Sequence, residues 1–414
     1  MWRVHERRSQ HGPNRRAKPS PLEGNGPAGL EPERVAGAPR RGAESVSPAP
    51  AHVLRAPTVR VLRDSLLGWF DRHARDLPWR VEPRDPYAVW VSEIMLQQTR
   101  VATVIPYFER FMRRFPTVES LALAPPDDVL AAWSGLGYYR RARAMHAAAK
   151  QIVEGGHGSL PGDPAALLRL SGIGQYTAAA IASIAFGRSV AVVDGNVVRV
   201  LSRLTDDGEP MDTASARRRI QSLADRLVDP DRPGPFNEAM MELGATVCTP
   251  RTPSCGDCPW QKRCLGLRSG RAEQLPVLLG RDASPRVALE AFVLLDHDCV
   301  LLCRRRAKGL FGGLWEPPMS DAGREGMRTV EDLVGRKGHR VKGKVVHVLT
   351  HRVLDVRVTR WLVDRTCVPD DVPFSEVYEQ ARWVGDDERR SLGMSSLAGK
   401  VLTHAGMKWS DETT

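Results

Sequence analysis

The sequence predicts a mainly α-helical domain followed by a smaller α+β domain. Three observations carry that expectation. Apolar residues recur at three- and four-residue spacing from about 58 to 245, four cysteines cluster just beyond, and short β-branched runs begin near residue 287. A chain of 414 residues with 42% hydrophobic content holds enough apolar material for two cores.

The helical stretch opens on Val61, Leu62, Leu66, Trp69 and Phe70, continues through Val89, Trp90 and Ile94, and returns at Ile181, Ile184 and Ala185. Roughly nine or ten helices are expected here, with no strand alternation. Pro78, Pro86, Pro106, Pro116, Pro125-Pro126 and Pro161-Gly162 mark their boundaries, because proline lacks the N–H a helix interior needs. Residues 269–285, polar and broken by Gly270, Gly280 and Pro285, read as a linker. Beyond it, 287–295, 300–302, 345–349 and 354–358 read as strands of a domain running from 286 to about 408.

Residues 1–56 carry ten Lys/Arg against five Glu, with abundant Pro and Gly, and read as a disordered basic tail. A DNA-seeking arm, an organelle-targeting segment and upstream sequence without function are all compatible with it. The five glutamates count against a transit peptide, so upstream sequence without function or a simple flexible tail is favoured. The net charge of +11 is spread along the chain and suits a polyanionic partner such as DNA. No apolar run of about 18 residues argues for a membrane span. With no secretory-type segment and no disulfide framework, an intracellular, DNA-associated location is expected. Nothing signals a stable oligomer, and a monomer is expected.

Cys248, Cys255, Cys258 and Cys264 read C-x6-C-x2-C-x5-C. Four thiolates so close must share a positive centre. Zinc and an iron–sulfur cluster both accept such a set; the single short knuckle favours the cluster. Cys299, Cys303 and Cys367 read as small core residues.

Three further constellations stand out. In Leu170-Ser171-Gly172-Ile173-Gly174-Gln175-Tyr176-Thr177, a glycine turn opens a helix, and Asp194 follows twenty residues after Gly174. Gly172 and Gly174 would let backbone N–H groups approach a phosphate at a helix N-terminus, although such turns also serve tight packing. In Ser92-Glu93-Ile94-Met95-Leu96-Gln97-Gln98-Thr99, helical spacing places Glu93 and Gln97 on one face, with Ile94 and Met95 toward the core. A carboxylate and two amides suit proton transfer and base-edge contacts; a solvated helix face is the competing reading. Gly135-Leu136-Gly137-Tyr138-Tyr139-Arg140-Arg141-Ala142-Arg143 sets two aromatics beside three arginines, suited either to stacking and phosphate pairing or to a core.

Taken in order with Val104-Ile105-Pro106-Tyr107-Phe108, the VVDGNVVRVLSR run from 192, and Phe236 to Gly244, these segments resemble the adenine DNA glycosylases of the MutY type over about residues 58–400. The resemblance implies a helix-hairpin-helix glycosylase domain, a six-helix lobe plus a lobe holding a [4Fe-4S] cluster, with adenine flipped into the cleft between them. It implies Glu93 as catalytic acid, Asp194 as stabiliser of the oxocarbenium-like sugar, and Tyr176 and Asn196 as pocket residues. Gln97, Gln98 and Tyr138 would probe the duplex, with Arg143 as a further DNA contact, while Gly172 and Gly174 hold a phosphate. The expected substrate is adenine opposite 8-oxoguanine or guanine in double-stranded DNA. Endonuclease III-type enzymes carry a nucleophilic lysine in this hairpin, where this chain has Tyr176. Across 57–240 the only lysine is Lys150, so a monofunctional enzyme is expected over a bifunctional pyrimidine glycosylase and lyase. A non-catalytic damage-binding protein is disfavoured because Glu93 and Asp194 are both present.

The segment from Leu301 through Gly309-Leu310-Phe311-Gly312-Gly313-Leu314-Trp315-Glu316 resembles the Nudix-related, lesion-recognising domain of that family. Arg328 and Thr329 stand where a Mg²⁺-binding acidic pair would follow, so pyrophosphate hydrolysis is not expected. Leu349-Thr350-His351 resembles the family's Phe-Ser-His lesion-sensing loop, with Thr350 keeping the hydroxyl, His351 the imidazole, and leucine replacing the aromatic; a strand that merely packs is the competing reading.

Overall fold

The structure, a computed structural model, describes residues 55–156, 158–280, 283–368 and 374–407. The expected tail, apart from Arg55 and Ala56, lies outside the described residues.

Eleven helices occupy the first part, among the described residues. They are α1 (Ala56–His73), α2 (Pro86–Leu96), α3 (Val101–Arg114), α4 (Val118–Leu123), α5 (Pro126–Ala132), α6 (Arg140–Glu154), α7 (Pro164–Leu167), α8 (Gln175–Phe186), α9 (Gly195–Thr205), α10 (Ala214–Leu227) and α11 (Pro233–Thr246). Pro86, Pro126, Pro164 and Pro233 start helices, where a missing N–H removes no intrahelical bond. Pro106 departs from the expectation: it lies inside α3. It forfeits only the bond to residue 102, and the buried Val104, Tyr107, Phe108 and Phe111 hold the helix across it.

Two apolar cores form. Trp90, Met95, Phe111, Trp133, Met145 and Ile181 centre one, around α2, α3, α6 and α8. Leu62, Leu66, Leu201, Leu227 and Leu243 centre the other, where α1 packs on α9, α10 and α11. Each fully buried side chain of this size contributes about 1.5–3 kcal/mol. Helices α8 and α11 pack together at the junction, so α2 faces α11 across a cleft.

A short helix, α12 (Leu265–Arg268), follows the cysteine loop. The expected linker is docked between Ala272 and Leu279. Ala272 and Leu275 are buried, Met211 N–H donates to the Val277 carbonyl at 2.9 Å, and Leu279 N–H donates to Asp212.

The second part is built on a mixed eight-stranded sheet. It begins with β1 (Arg286–Asp296), β2 (Cys299–Arg305), β3 (Trp315–Glu316) and β4 (Met319–Asp321). Helix α13 (Arg324–Val334), β5 (His339–Arg340), β6 (Val345–Val348), β7 (Val353–Leu362), β8 (Tyr378–Val384), α14 (Asp386–Arg390) and α15 (Ser396–His404) complete it. The long central pair β1 and β7 is parallel, from Arg286↔Val353 to Leu295↔Leu362. β2, β3, β5 and β8 extend the sheet antiparallel, with β6 on β7. Glu316 is wholly buried and accepts from Arg305 Nε at 2.5 Å and Tyr378 Oη at 2.8 Å, so it serves the fold rather than a cation.

The described residues belong to one compact unit. Tyr139 Oη and Ser134 Oγ both donate to the Met394 carbonyl, at 2.6 and 3.0 Å, and Leu314 is buried in the helical core. The sheet is thereby fixed to the start of α6.

Candidate active site

A cavity of about 180 Å³ opens between α2, α8, α9 and α11, lined by Glu93, Tyr176, Asp194 and Asn196 together with Arg80 and Glu238. All four sequence-predicted catalytic residues therefore meet. Glu93 is 5% exposed, and burial pushes its carboxyl up to about 7, with the charges of Glu238 and Asp194 adding to the effect against a hydrogen bond from Tyr176. That bond runs from Tyr176 Oη to Glu93 Oε2 at 2.6 Å. Burial also raises the Tyr176 phenol well above its usual range, which keeps it a donor.

Asp194 is the N-cap of α9. Its Oδ1 accepts the Val197 N–H at 2.7 Å, and its Oδ2 accepts Asn196 Nδ2 at 2.9 Å. Burial pushes its carboxyl up, while these bonds and the charge of Arg199 oppose the rise. The helix N-terminus stabilises the anion in the same sense. Two carboxylates in one cavity thus have different environments: burial raises both, but at Asp194 two hydrogen bonds, Arg199 and the helix N-terminus oppose the rise, whereas Glu93 stands at about 7. The segment leading into Asp194 is held by buried Asn237, which accepts the Val192 N–H and donates to Ser183 and the Val190 carbonyl.

The cavity wall holds a lattice that sequence reasoning missed. Arg80 bonds Glu238 and Glu242 at 3.0 Å each, Arg84 bonds Glu238 at 2.8 Å, and Arg75 bonds Glu242 at 2.6 Å. Burial raises Glu238; it acts on Glu242 too, but bonds from Arg75 and the charge of Arg80 outweigh it and leave that carboxyl below the usual range. The signal lay in two glutamates four apart within the apolar α11, since such residues are almost never buried unpaired.

Gly172 and Gly174 form the turn between α7 and α8. Gly172 is left-handed at φ +75°, and a Cβ there would sit 2.5 Å from the Ala144 methyl, so this glycine serves packing as well as the turn. Gly174 is the N-cap of α8 in extended backbone, with open space where a Cβ would stand. An anion can approach the helix N-terminus there.

The expectation that Glu93 and Gln97 share a helix face is overturned: α2 ends at Leu96, Gln97 is its C-cap, and Gln98 turns left-handed at φ +59°. Glu93 therefore enters the cavity while Gln97 Nε2 reaches Thr177 Oγ1 at 3.2 Å on α8. Of the two adjacent tyrosines, only Tyr138 is available, 44% exposed at φ +48°; Tyr139 is buried. Tyr138 Oη hydrogen-bonds Thr350 Oγ1, and His351 is exposed beside it. A continuous edge runs from Gly174 through Gln97, Gln98 and Tyr138 to Thr350. Arg143 Nη1 donates to the Gly312 carbonyl, which fastens α6 to the second domain.

Cys248, Cys255, Cys258 and Cys264 line a second, small cavity with Arg203, Val247, Leu267 and Ala272. Tetrahedral zinc draws its sulfurs to about 2.3 Å from one point, whereas a four-iron cluster keeps them apart around a cube. The ring of thiols fits the cluster. Burial pushes the Cys258 thiol up to about 12, so a thiolate there requires positive charge at its side. Arg203 braces the loop, donating to Cys248 Sγ at 3.3 Å and to the Thr249 and Pro250 carbonyls at 2.7 and 2.9 Å.

A hairpin-capped helix facing a buried acid, beside a thiol-ringed cavity, defines the class of helix-hairpin-helix DNA repair enzymes. In agreement, residues 91–225 match the HhH-GPD superfamily base excision DNA repair proteins, 248–264 the iron–sulfur binding domain of endonuclease III, and 290–404 the NUDIX domain. The adenine DNA glycosylase of Rattus norvegicus is 36% identical over 405 residues, covering 83% of this chain and 78% of that protein. The Homo sapiens protein of the same name is 35% identical, covering 96% of this chain and 84% of its own length. The Mus musculus protein is 35% identical, covering 93% and 84%. The chain belongs to the adenine DNA glycosylase family. It is a DNA glycosylase of base excision repair with a [4Fe-4S] cofactor. No described helix is long and apolar enough to cross a membrane.

Proposed function

We propose that this enzyme hydrolyses the N-glycosidic bond of adenine opposite 8-oxoguanine or guanine and leaves the strand intact at an abasic site. The observation that carries the chemistry is the 2.6 Å bond between Tyr176 and a Glu93 carboxyl raised to about 7, opposite Asp194. Protonated Glu93 delivers its proton to the adenine ring, the C1′–N9 bond breaks, and adenine leaves neutral. The carboxylate of Asp194 stabilises the oxocarbenium-like sugar, a charge that exists only along the reaction path. Water adds to C1′, and the proton it releases returns to Glu93.

Cys248, Cys255, Cys258 and Cys264 hold the cluster, whose part here is architectural: it fixes the loop beneath α9. Gly172 and Gly174 receive a phosphate; Gln97, Gln98 and Tyr138 enter the duplex; Thr350 and His351 read the base opposite adenine.

Among the described residues no lysine lines the cavity, and Lys150 is exposed on α6. Borohydride treatment of enzyme with duplex is the test. No covalent adduct, with strand breaks appearing only after alkali, is expected. A trapped Schiff base would make the enzyme a lyase and overturn the reading.

A further inference from the structure

The edge proposed to probe DNA contains two non-glycine residues in left-handed backbone, Gln98 at φ +59° and Tyr138 at φ +48°. L-residues avoid this region because Cβ crowds the following carbonyl, so such residues persist only where their surroundings hold them. One side chain touches both loops. Arg141 Nη1 donates to the carbonyls of Ile94, Met95 and Gln97 at 2.8, 2.9 and 2.5 Å. Its Nη2 donates to Thr99 Oγ1 and to the carbonyls of Leu136 and Gly137, each at 3.2 Å. The carbonyls of Gln97 and Gly137 each precede one of the left-handed residues. The guanidinium also lies over the rings of Trp133 and Tyr138, at 5.3 and 5.5 Å from their centroids.

We propose that Arg141 is a positioning residue for base extrusion: it caps the end of α2 and the turn before Tyr138 together, so that Gln98 and Tyr138 enter the duplex as one rigid unit. The inference rests on the reading above, in which these residues probe DNA. Arg141 makes no phosphate contact in this scheme, because both its terminal nitrogens are engaged with protein oxygens. Burial lowers its pKa to about 10, which leaves it charged at neutral pH. Lysine cannot substitute, since a single ammonium does not reach two separate sets of carbonyls as a planar fork does. Arg140, one residue earlier, is exposed and provides the contrast.

The test uses the full-length, cluster-loaded enzyme and a duplex with 2-aminopurine beside an adenine opposite 8-oxoguanine. R141K is expected to slow the extrusion signal and single-turnover excision together, roughly 10- to 100-fold. The pH midpoint of excision and the salt slope of DNA affinity should stay as in the parent, whereas R140Q should flatten the salt slope. Extrusion at the parental rate would overturn the proposal. So would slowed excision with normal extrusion and a moved pH midpoint, because Arg141 would then act on Glu93. If R141K does not fold, adding Gln98→Gly should restore it, since glycine takes φ +59° without strain. A double variant that stays unfolded contradicts the proposal. A parent enzyme that leaves this adenine in place would instead sink the functional reading on which the inference stands.

Discussion

Arg199 and Asn196 share a 2.8 Å hydrogen bond, Nη2 to Oδ1, that ties the start of α9 to the cysteine loop. The same guanidinium donates from Nε to the Cys248 carbonyl at 2.8 Å, and Asn196 in turn donates to Asp194 at 2.9 Å. Three bonds therefore separate the Asp194 carboxylate from the first cysteine. The cluster loop can set the position of Asp194 without any electron leaving the cluster.

Arg199→Leu should lower single-turnover excision roughly 10- to 100-fold, because a small misplacement of Asp194 acts directly on the transition state. Iron content and cluster absorbance per protein should be retained. A parental rate in an iron-replete variant would show that the link is passive.

The raised carboxyl of Glu93 fixes a pH dependence and its sign. Excision needs the protonated acid, so the rate should fall as pH rises through about 7. Stability follows the same direction. A folded-state pKa raised from 4.5 to about 7 means that the native state holds a proton the unfolded state has released in this window, so stability declines as pH rises through it. Glu93→Gln should abolish excision yet raise Tm at pH 8 by a few degrees, on the order of 1 kcal/mol or more. A Tm unchanged or lowered at pH 8 would show that Glu93 is not held against its ionisation.

The two hairpin glycines should separate. Gly172→Ala meets the Ala144 methyl at 2.5 Å in left-handed backbone, and a loss of about 1–3 kcal/mol is expected from thermal unfolding. Gly174→Ala has room and ordinary extended backbone, so its Tm should hold while DNA affinity falls. Equal thermal losses for both would remove the argument that Gly174 is kept for an anion.

Thr350 and His351 lie on the exposed turn after β6, with Thr350 bonded to Tyr138. Replacing both by alanine should erode the excision ratio between 8-oxoguanine and guanine partners more than the rate on the guanine partner itself. An unchanged ratio would contradict the sensor assignment.

The sequence revealed most where chemistry was concentrated in a short segment. The four cysteines and the glycine turn left a local pattern, while Glu93, Tyr176 and Asp194 were picked out together by the family resemblance, and the structure brings those three into one cavity. The buried lattice of Arg75, Arg80, Arg84, Glu238 and Glu242 was not legible, since its partners lie about 160 residues apart and each arginine alone reads as surface. The bond from Arg143 to the Gly312 carbonyl was hidden for the same reason, since that carbonyl lies 169 residues away. The short strands β3, β4 and β5 escaped notice because two or three residues carry no period. Gln97 failed as a helix-face residue because capping by Arg141 ends α2 one residue before it.

The central claim is excision of adenine, chosen by its partner. Single-turnover assays on labelled duplexes with A opposite 8-oxoguanine, guanine and thymine, and with thymine glycol opposite A, test it most directly. The account predicts excision of adenine opposite 8-oxoguanine and guanine, little opposite thymine, and strand breaks only after alkali. Cleavage of the thymine glycol duplex without alkali, or equal excision of adenine opposite thymine, would contradict it.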